Sequence, residues 1–225
     1  MKIMKKIAII SLVMVCMISL TSCTKEKKQE EAKYDYMVLV NKKNKLPDDW
    51  EKNLELTDTK NAWDEDIQVE KKAFEQYKKL KEEVNKDLEE YNAKIELDST
   101  YRSVAAQQEL WDDWSKDPEK GPEYVKKFVA VPGYSEHHTG LAIDICLIIN
   151  GEIVADNDDM IAQREIFSKV HAKLAKYGFI LRYLEGKDDI TGYAYEPWHL
   201  RYIDDPEIAK EIMDNNLTLE EYLNK

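Results

Sequence analysis

Two short segments of this chain gather side chains that do chemistry inside settings that are otherwise apolar or tightly turned. The first is Gly133-Tyr-Ser-Glu-His-His-Thr-Gly-Leu-Ala-Ile-Asp144 and the second is Glu196-Pro-Trp-His199; together they hold three of the four histidines. Asp144 falls within the apolar run 141–149, where strand alternation puts Ala142, Asp144 and Cys146 on one face and Leu141, Ile143 and Ile145 on the other. A carboxylate in such a strand is costly unless it is paired or bound to a metal. His137, Asp144 and His199 offer two imidazoles and one carboxylate, a donor set that suits Zn²⁺ and leaves a fourth position open for water. Glu196, three residues before His199, is within reach of that open position as a proton acceptor. Pro197 disfavours helix at Glu196, so this is not the helical H-E-x-x-H arrangement. A regular strand would point Glu196 and His199 to opposite faces, so a shared site predicts a bend at Pro197. Two unrelated core or loop histidines would fit the same residues, and residue types alone leave both readings open.

These residues need elements to hold them. Residues 37–40 read as a first strand and 46–50 as a turn with an aromatic anchor. Phe74, Tyr77, Leu80, Val84, Leu88 and Tyr91 recur at steps of three and four, which predicts an amphipathic helix over 67–91 with its Lys/Glu face in solvent. A strand over 95–100, a helix over 103–114 and a short helix over 123–128 follow. The strand 141–149 meets Asn150-Gly151, a hairpin signal into 152–155. A helix marked by Phe167, Val170, Leu174 and Tyr177 stops at Gly178. Strands over 179–183 and 193–198 complete the sheet, and helices over 206–214 and 217–223 close the chain. Without a βαβ rhythm the expected class is α+β, a small, mainly antiparallel sheet with flanking helices.

The chain has 225 residues and a net charge of −12, with 43% hydrophobic and 35% charged residues. That composition predicts a folded globular domain, and 7 Gly and 6 Pro exclude collagen-like or low-complexity architecture. The acidic balance argues against nucleic acid as a partner. Lys2, Lys5 and Lys6 precede an uncharged run over residues 7–20, which reads as a signal peptide rather than a membrane span. Leu20-Thr21-Ser22-Cys23 resembles a bacterial lipobox, predicting lipid on Cys23 after removal of residues 1–22. The expected location is the outer face of the bacterial cytoplasmic membrane, with 23–36 a charged flexible tether and 37–225 the domain. Of the cysteines only Cys146 would then remain free, so no intramolecular disulfide is expected, and Cys146 reads as a small core residue.

Ser135-x-His137-x-x-Gly140-x-Ala142-x-Asp144 and Glu196-Pro-Trp-His199 resemble motifs of the VanY-type zinc D-alanyl-D-alanine carboxypeptidases. Their fold is shared with the dipeptidase VanX and the N-terminal domain of hedgehog proteins. Tyr101-Arg102-Ser103 with Gln107 is a third match, and Tyr177-Gly-Phe-Ile-Leu-Arg-Tyr183 with Gly186-Lys187 and Thr191-Gly-Tyr193 a fourth. These span roughly residues 95–203, and the opening near Val40 adds weaker support. The resemblance implies one Zn²⁺ held by His137, Asp144 and His199, with Glu196 as general base and Arg102 steadying the oxyanion. It places Gln107, Ser103 and Ser135 on the substrate, a peptidoglycan stem peptide losing its C-terminal D-alanine. His138 departs from the family pattern, where Gln is common; the family spacing selects His137 as ligand and leaves His138 pointing elsewhere. His171 and Trp198 read as structural. The alternatives are L,D-carboxypeptidase action on tetrapeptide stems, a D,D-dipeptidase, or a non-catalytic wall-binding lipoprotein of the same fold. No protein partner is predicted.

Overall fold

The computed structural model describes residues 34–118 and 121–224. The signal segment, Cys23 and most of the expected tether lie outside the described residues. Its architecture is α+β, as expected. The longest strand is β4 (Ala142–Ile149), the apolar run itself. One edge of β4 pairs with β3 (Ala93–Ser99). Its other edge pairs with β7 (His199–Tyr202) over its first half and with β5 (Glu152–Val154) over its second. β6 (Phe179–Leu181) adds to β7, and every pairing is antiparallel. The β4–β5 turn takes positive φ at Asn150 (54°) and Gly151 (89°), the backbone that Asn-Gly adopts at low cost.

Helix α1 (Lys71–Asp87) buries Ala73, Tyr77, Leu80 and Val84 against β3 and α5 (Arg164–Leu174). Phe167, Val170 and Leu174 of α5 meet Ile143, Ile145 and Leu147 of β4 in the same core. The odd-numbered side chains of β4 thus face this core, which leaves Asp144 on the other face of the sheet. Helices α2 (Val104–Lys116) and α3 (Gly121–Phe128) pack on each other. The remaining helices are α4 (Asn157–Ala162), α6 (Asp188–Thr191), α7 (Pro206–Asp214) and α8 (Leu219–Leu223).

Four expectations need correction. Residues 37–40 form no strand: the Arg201 guanidinium takes the Tyr36 and Val38 carbonyls, at 3.0 and 2.8 Å, so they pair with no neighbouring strand. Tyr34–Tyr36 are part of the packed unit rather than tether, with the Tyr34 hydroxyl and Trp50 Nε1 both donating to the Thr139 carbonyl. The helix starts at Lys71, because β1 (Leu56–Lys60) and β2 (Asp66–Glu70) form a hairpin that uses Ile67 and Val69. Glu70 then caps α1 by accepting from Ala73 N at 2.7 Å. Finally, the closing strand is His199–Tyr202 rather than 193–198, since the chain is still turning at Pro197 and Trp198.

Candidate active site

The β4–β7 register sets Asp144 directly opposite His199. His199 Nδ1 lies 2.8 Å from Asp144 Oδ1, and His137 Nε2 lies 3.1 Å from Asp144 Oδ2. The two imidazoles meet edge to face, with centroids 5.1 Å apart at 87°. One donor atom from each of the three residues falls within 4.8 Å of the others. The far nitrogens are turned outward: His137 Nδ1 is 2.6 Å from the Thr100 carbonyl, and His199 Nε2 faces Glu136 Oε2 at 3.5 Å. That leaves His137 Nε2, His199 Nδ1 and Asp144 aimed at one point. Asp144 Oδ1 is buried and accepts no aligned hydrogen bond among the described residues. Two nitrogens and a carboxylate with an unsatisfied buried oxygen fit a zinc ion.

His137 sits on a 3₁₀ turn (Glu136–Thr139) that Ser135 caps, its hydroxyl accepting from His137 N at 3.3 Å. The turn ends at Gly140 with φ of 74°. A Cβ there would stand 3.3 Å from Glu70 Cβ and from Leu56 Cδ2, so the glycine serves both a left-handed backbone and a close approach.

The predicted bend at Pro197 is present. His199 N donates to the Glu196 carbonyl at 3.2 Å, closing a tight turn, and His171 Nε2 lies 2.8 Å from the Pro197 carbonyl. Both Glu196 and His199 thereby reach the same side, with Glu196 Oε2 3.8 Å from His199 Nδ1. Burial pushes the Glu196 carboxyl up to about 8; His199 and Arg102 pull against this and the charge of Asp144 adds to it. Asp144 is held well below the carboxylate range, because His137 and His199 outweigh its burial.

These groups line one cleft with about 900 Å³ of open space, mouth included. Arg102 crosses its floor, donating to Gln107 Oε1 at 2.9 Å and to Ser99 Oγ at 2.6 Å. Gln107 also donates to the Ala130 carbonyl at 2.8 Å. Gln107, expected on the substrate, lines the cleft and also orients Arg102. Ser103 is not part of the cleft wall: its hydroxyl caps α2 by accepting from Ala106 N at 3.1 Å. Ser135 does line the cleft. His138 is no ligand and does not line the cleft. Its Nε2 accepts from Gly133 N at 3.0 Å, which leaves Nδ1–H to donate to the Arg102 carbonyl at 2.6 Å. Cys146 is a buried free thiol.

Sequence reading missed several groups. Asp98 lines the cleft, pushed up to about 7 by burial and by the charge of Asp144. The Tyr193 hydroxyl is buried without a partner among the described residues, and Tyr193 also lines the cleft. Glu136, Arg182 and Arg201 form a fully buried ionic group. The signal for the arginines was the one that marked Asp144: single charges inside the apolar runs Phe179-Ile-Leu-Arg-Tyr-Leu184 and His199-Leu-Arg-Tyr202.

A family model described as VanY, D-alanyl-D-alanine carboxypeptidase, matches residues 66–205. The putative carboxypeptidase YodJ of Bacillus subtilis is 39% identical over 193 residues, 84% of this chain and 67% of that protein. The bifunctional D-Ala-D-Ala dipeptidase and carboxypeptidase VanXYC of Enterococcus gallinarum is 42% identical over 135 residues, 57% of this chain and 65% of that protein. The chain thus spans about two thirds of the length of each. Among solved structures, a mutant of the vancomycin resistance D,D-pentapeptidase VanY from a VanB-type cassette, in complex with Zn(II), superposes with a TM-score of 0.67. Its identity is 28%, over 84% of this chain and 99% of that one.

Proposed function

This chain belongs to the VanY family of D-alanyl-D-alanine carboxypeptidases, and on that premise we propose that it is a zinc carboxypeptidase removing the C-terminal D-alanine from peptidoglycan stem peptides. The observation that carries the reading is the convergence of His137, Asp144, His199 and Glu196 on one point of a cleft. A non-catalytic binding protein would need no further buried carboxylate beside its metal ligands.

A zinc ion held by His137, Asp144 and His199 would supply Lewis-acid activation of a water and of the scissile carbonyl. Glu196, set beside the three ligands in the cleft, takes the proton of the attacking water and returns it to the departing amine of D-alanine. Arg102, aligned by Gln107 and Ser99, stabilises the negative charge that develops on the carbonyl oxygen. His171 keeps Glu196 on the right side of the turn by bonding the Pro197 carbonyl. Ser135 and the free Tyr193 hydroxyl are available to the terminal carboxylate of the stem.

We further propose that Cys23 is lipidated and holds the enzyme on the outer face of the cytoplasmic membrane, within reach of wall peptides. The Lys-flanked apolar run and the Leu-Thr-Ser-Cys sequence support this. Radiolabelled fatty acid should enter the wild-type chain and be absent from Cys23→Ser.

The activity is tested on residues 24–225 with pentapeptide and tetrapeptide stems, each with and without a chelator. D-Alanine should leave the pentapeptide, and the chelator should stop it. Glu196→Ala should keep its zinc and lose about 10²–10⁴-fold in turnover. Release from the tetrapeptide alone would move the enzyme to the L,D class, and zinc binding with no release from either would sink the carboxypeptidase reading.

A further inference from the structure

The ligand His199 is the end of a buried chain of charges that the reaction does not use. Glu136 Oε1 accepts from Arg182 Nε at 2.7 Å and from an Arg201 terminal nitrogen at 2.6 Å. Arg182 in turn makes a two-point pair with Glu220 of α8, at 2.8 and 2.7 Å. Asn41 Nδ2 also donates to Glu220, at 2.9 Å. The side chains of Glu136, Arg182 and Arg201 are completely buried, and that of Glu220 is 9% exposed. Two arginines and two glutamates balance, so the group needs no further charge for its own neutrality. One oxygen is nevertheless left over. Glu136 Oε2 has no hydrogen bond within the cluster, and it stands 3.5 Å from His199 Nε2, which has no other partner among the described residues.

We infer that Glu136 is a positioning residue for His199, accepting from Nε2–H so that Nδ1 faces the metal, and that α8 fixes Glu136 through Glu220 and Arg182. The inference rests on the reading of His199 as a zinc ligand. The physical reason is orientation. An imidazole free to rotate or change tautomer presents the wrong nitrogen part of the time, and a fixed acceptor behind it removes that freedom. The two donors on Oε1 hold the carboxylate plane, so Oε2 cannot swing away from the ring. A helix more than eighty residues from the metal-binding turn thus becomes part of the metal site's support.

The test is zinc affinity of the full chain in detergent, by competition with a chelator, at a temperature where circular dichroism reports every variant folded. Glu136→Gln presents an amide that cannot accept at both ends, and it should raise the zinc Kd about 10–100-fold. It should also shift the visible absorption of the cobalt-loaded chain, a readout of ligand geometry that a merely structural loss would leave unmoved. Glu220→Gln keeps an acceptor for Arg182 but removes its charge, and it should raise the Kd about 3–10-fold. Parental affinity and an unchanged cobalt spectrum in Glu136→Gln would overturn the positioning role. Parental affinity in Glu220→Gln would overturn the part given to α8. Should Glu136→Gln fail to fold, Glu136→Asp takes its place: it keeps the charge but draws the carboxylate back from His199, so a raised Kd supports the positioning role and a parental Kd with an unchanged cobalt spectrum overturns it. A parent chain that binds no zinc would instead sink the metal-site reading and this inference with it. A parent that binds zinc but releases no D-alanine would sink only the proposed activity.

Discussion

Asp98 and Asp144 occupy neighbouring strands, Asp98 one residue before Ser99, the β-ladder partner of Asp144. Burial first, and then the nearby charge of Asp144, raises the Asp98 carboxyl to about 7. The folded chain therefore holds this proton more tightly than the unfolded chain, where the value is about 4. The resulting stability is complete below about pH 4 and is lost as pH rises through about 7. In metal-free protein, Asp98→Asn should gain on the parent by about 2–4 kcal/mol between pH 4.5 and pH 8, read by urea denaturation in chelator. A difference between the two proteins that does not change with pH would refute the shift. At this scale the candidate ligand group was legible because each of its members is costly where it stands, and cost demands a reason. The supporting residues were less so. Gln107 and Ser103 belong to a recognisable segment, but only three-dimensional neighbours decide that one braces Arg102 and the other caps a helix. Asp98 stayed hidden because β3 alternates well enough without it.

Among the elements, the turn from the 3₁₀ segment into β4 is constrained twice over, by its backbone and by its neighbours. Gly140→Ala would force an L-residue to φ of 74° and bring its Cβ against Glu70 and Leu56. Gly186 has φ of 75° and open space around it, so Gly186→Ala isolates the backbone part. The expected losses are about 1–2 kcal/mol at Gly186 and about 2–3 kcal/mol at Gly140, measured by chemical denaturation. Equal losses would mean that Glu70 and Leu56 yield to the new methyl group. Long elements were readable from periodicity alone: α1, β4 and α5 each show their buried face in the sequence. The β1–β2 hairpin was not, since Leu56-Thr-Asp-Thr-Lys60 and Asp66-Ile-Gln-Val-Glu70 carry few apolar residues, and Ile67 also fits the start of a helical stripe. Arg201 hid the state of residues 37–40 in the same way. Their pattern is that of a strand, but a guanidinium rather than a neighbouring strand takes the Val38 carbonyl.

At the scale of the whole molecule, the metal joins parts that are far apart in sequence. His137 on the 3₁₀ turn and Asp144 on β4 are near in sequence, but His199 lies on β7, so a cation bound to all three closes the long loop between residues 144 and 199. Zinc at a hundred times its Kd should add about 2.7 kcal/mol to the folded state. For a domain of this size that corresponds to roughly 5–10 °C in Tm. His199→Ala should melt at one temperature with or without zinc; a shift that survives the substitution would place the stabilising ion elsewhere. Another long-range junction lies at the Thr139 carbonyl, which receives both the Tyr34 hydroxyl and Trp50 Nε1 only two residues beyond His137. Tyr34 is thereby fastened to the turn that carries His137. When the molecule is stretched between residues 34 and 224, zinc should raise the rupture force, and an equal force with and without zinc would uncouple the two. A pull on Tyr34 would then reach the turn that holds His137.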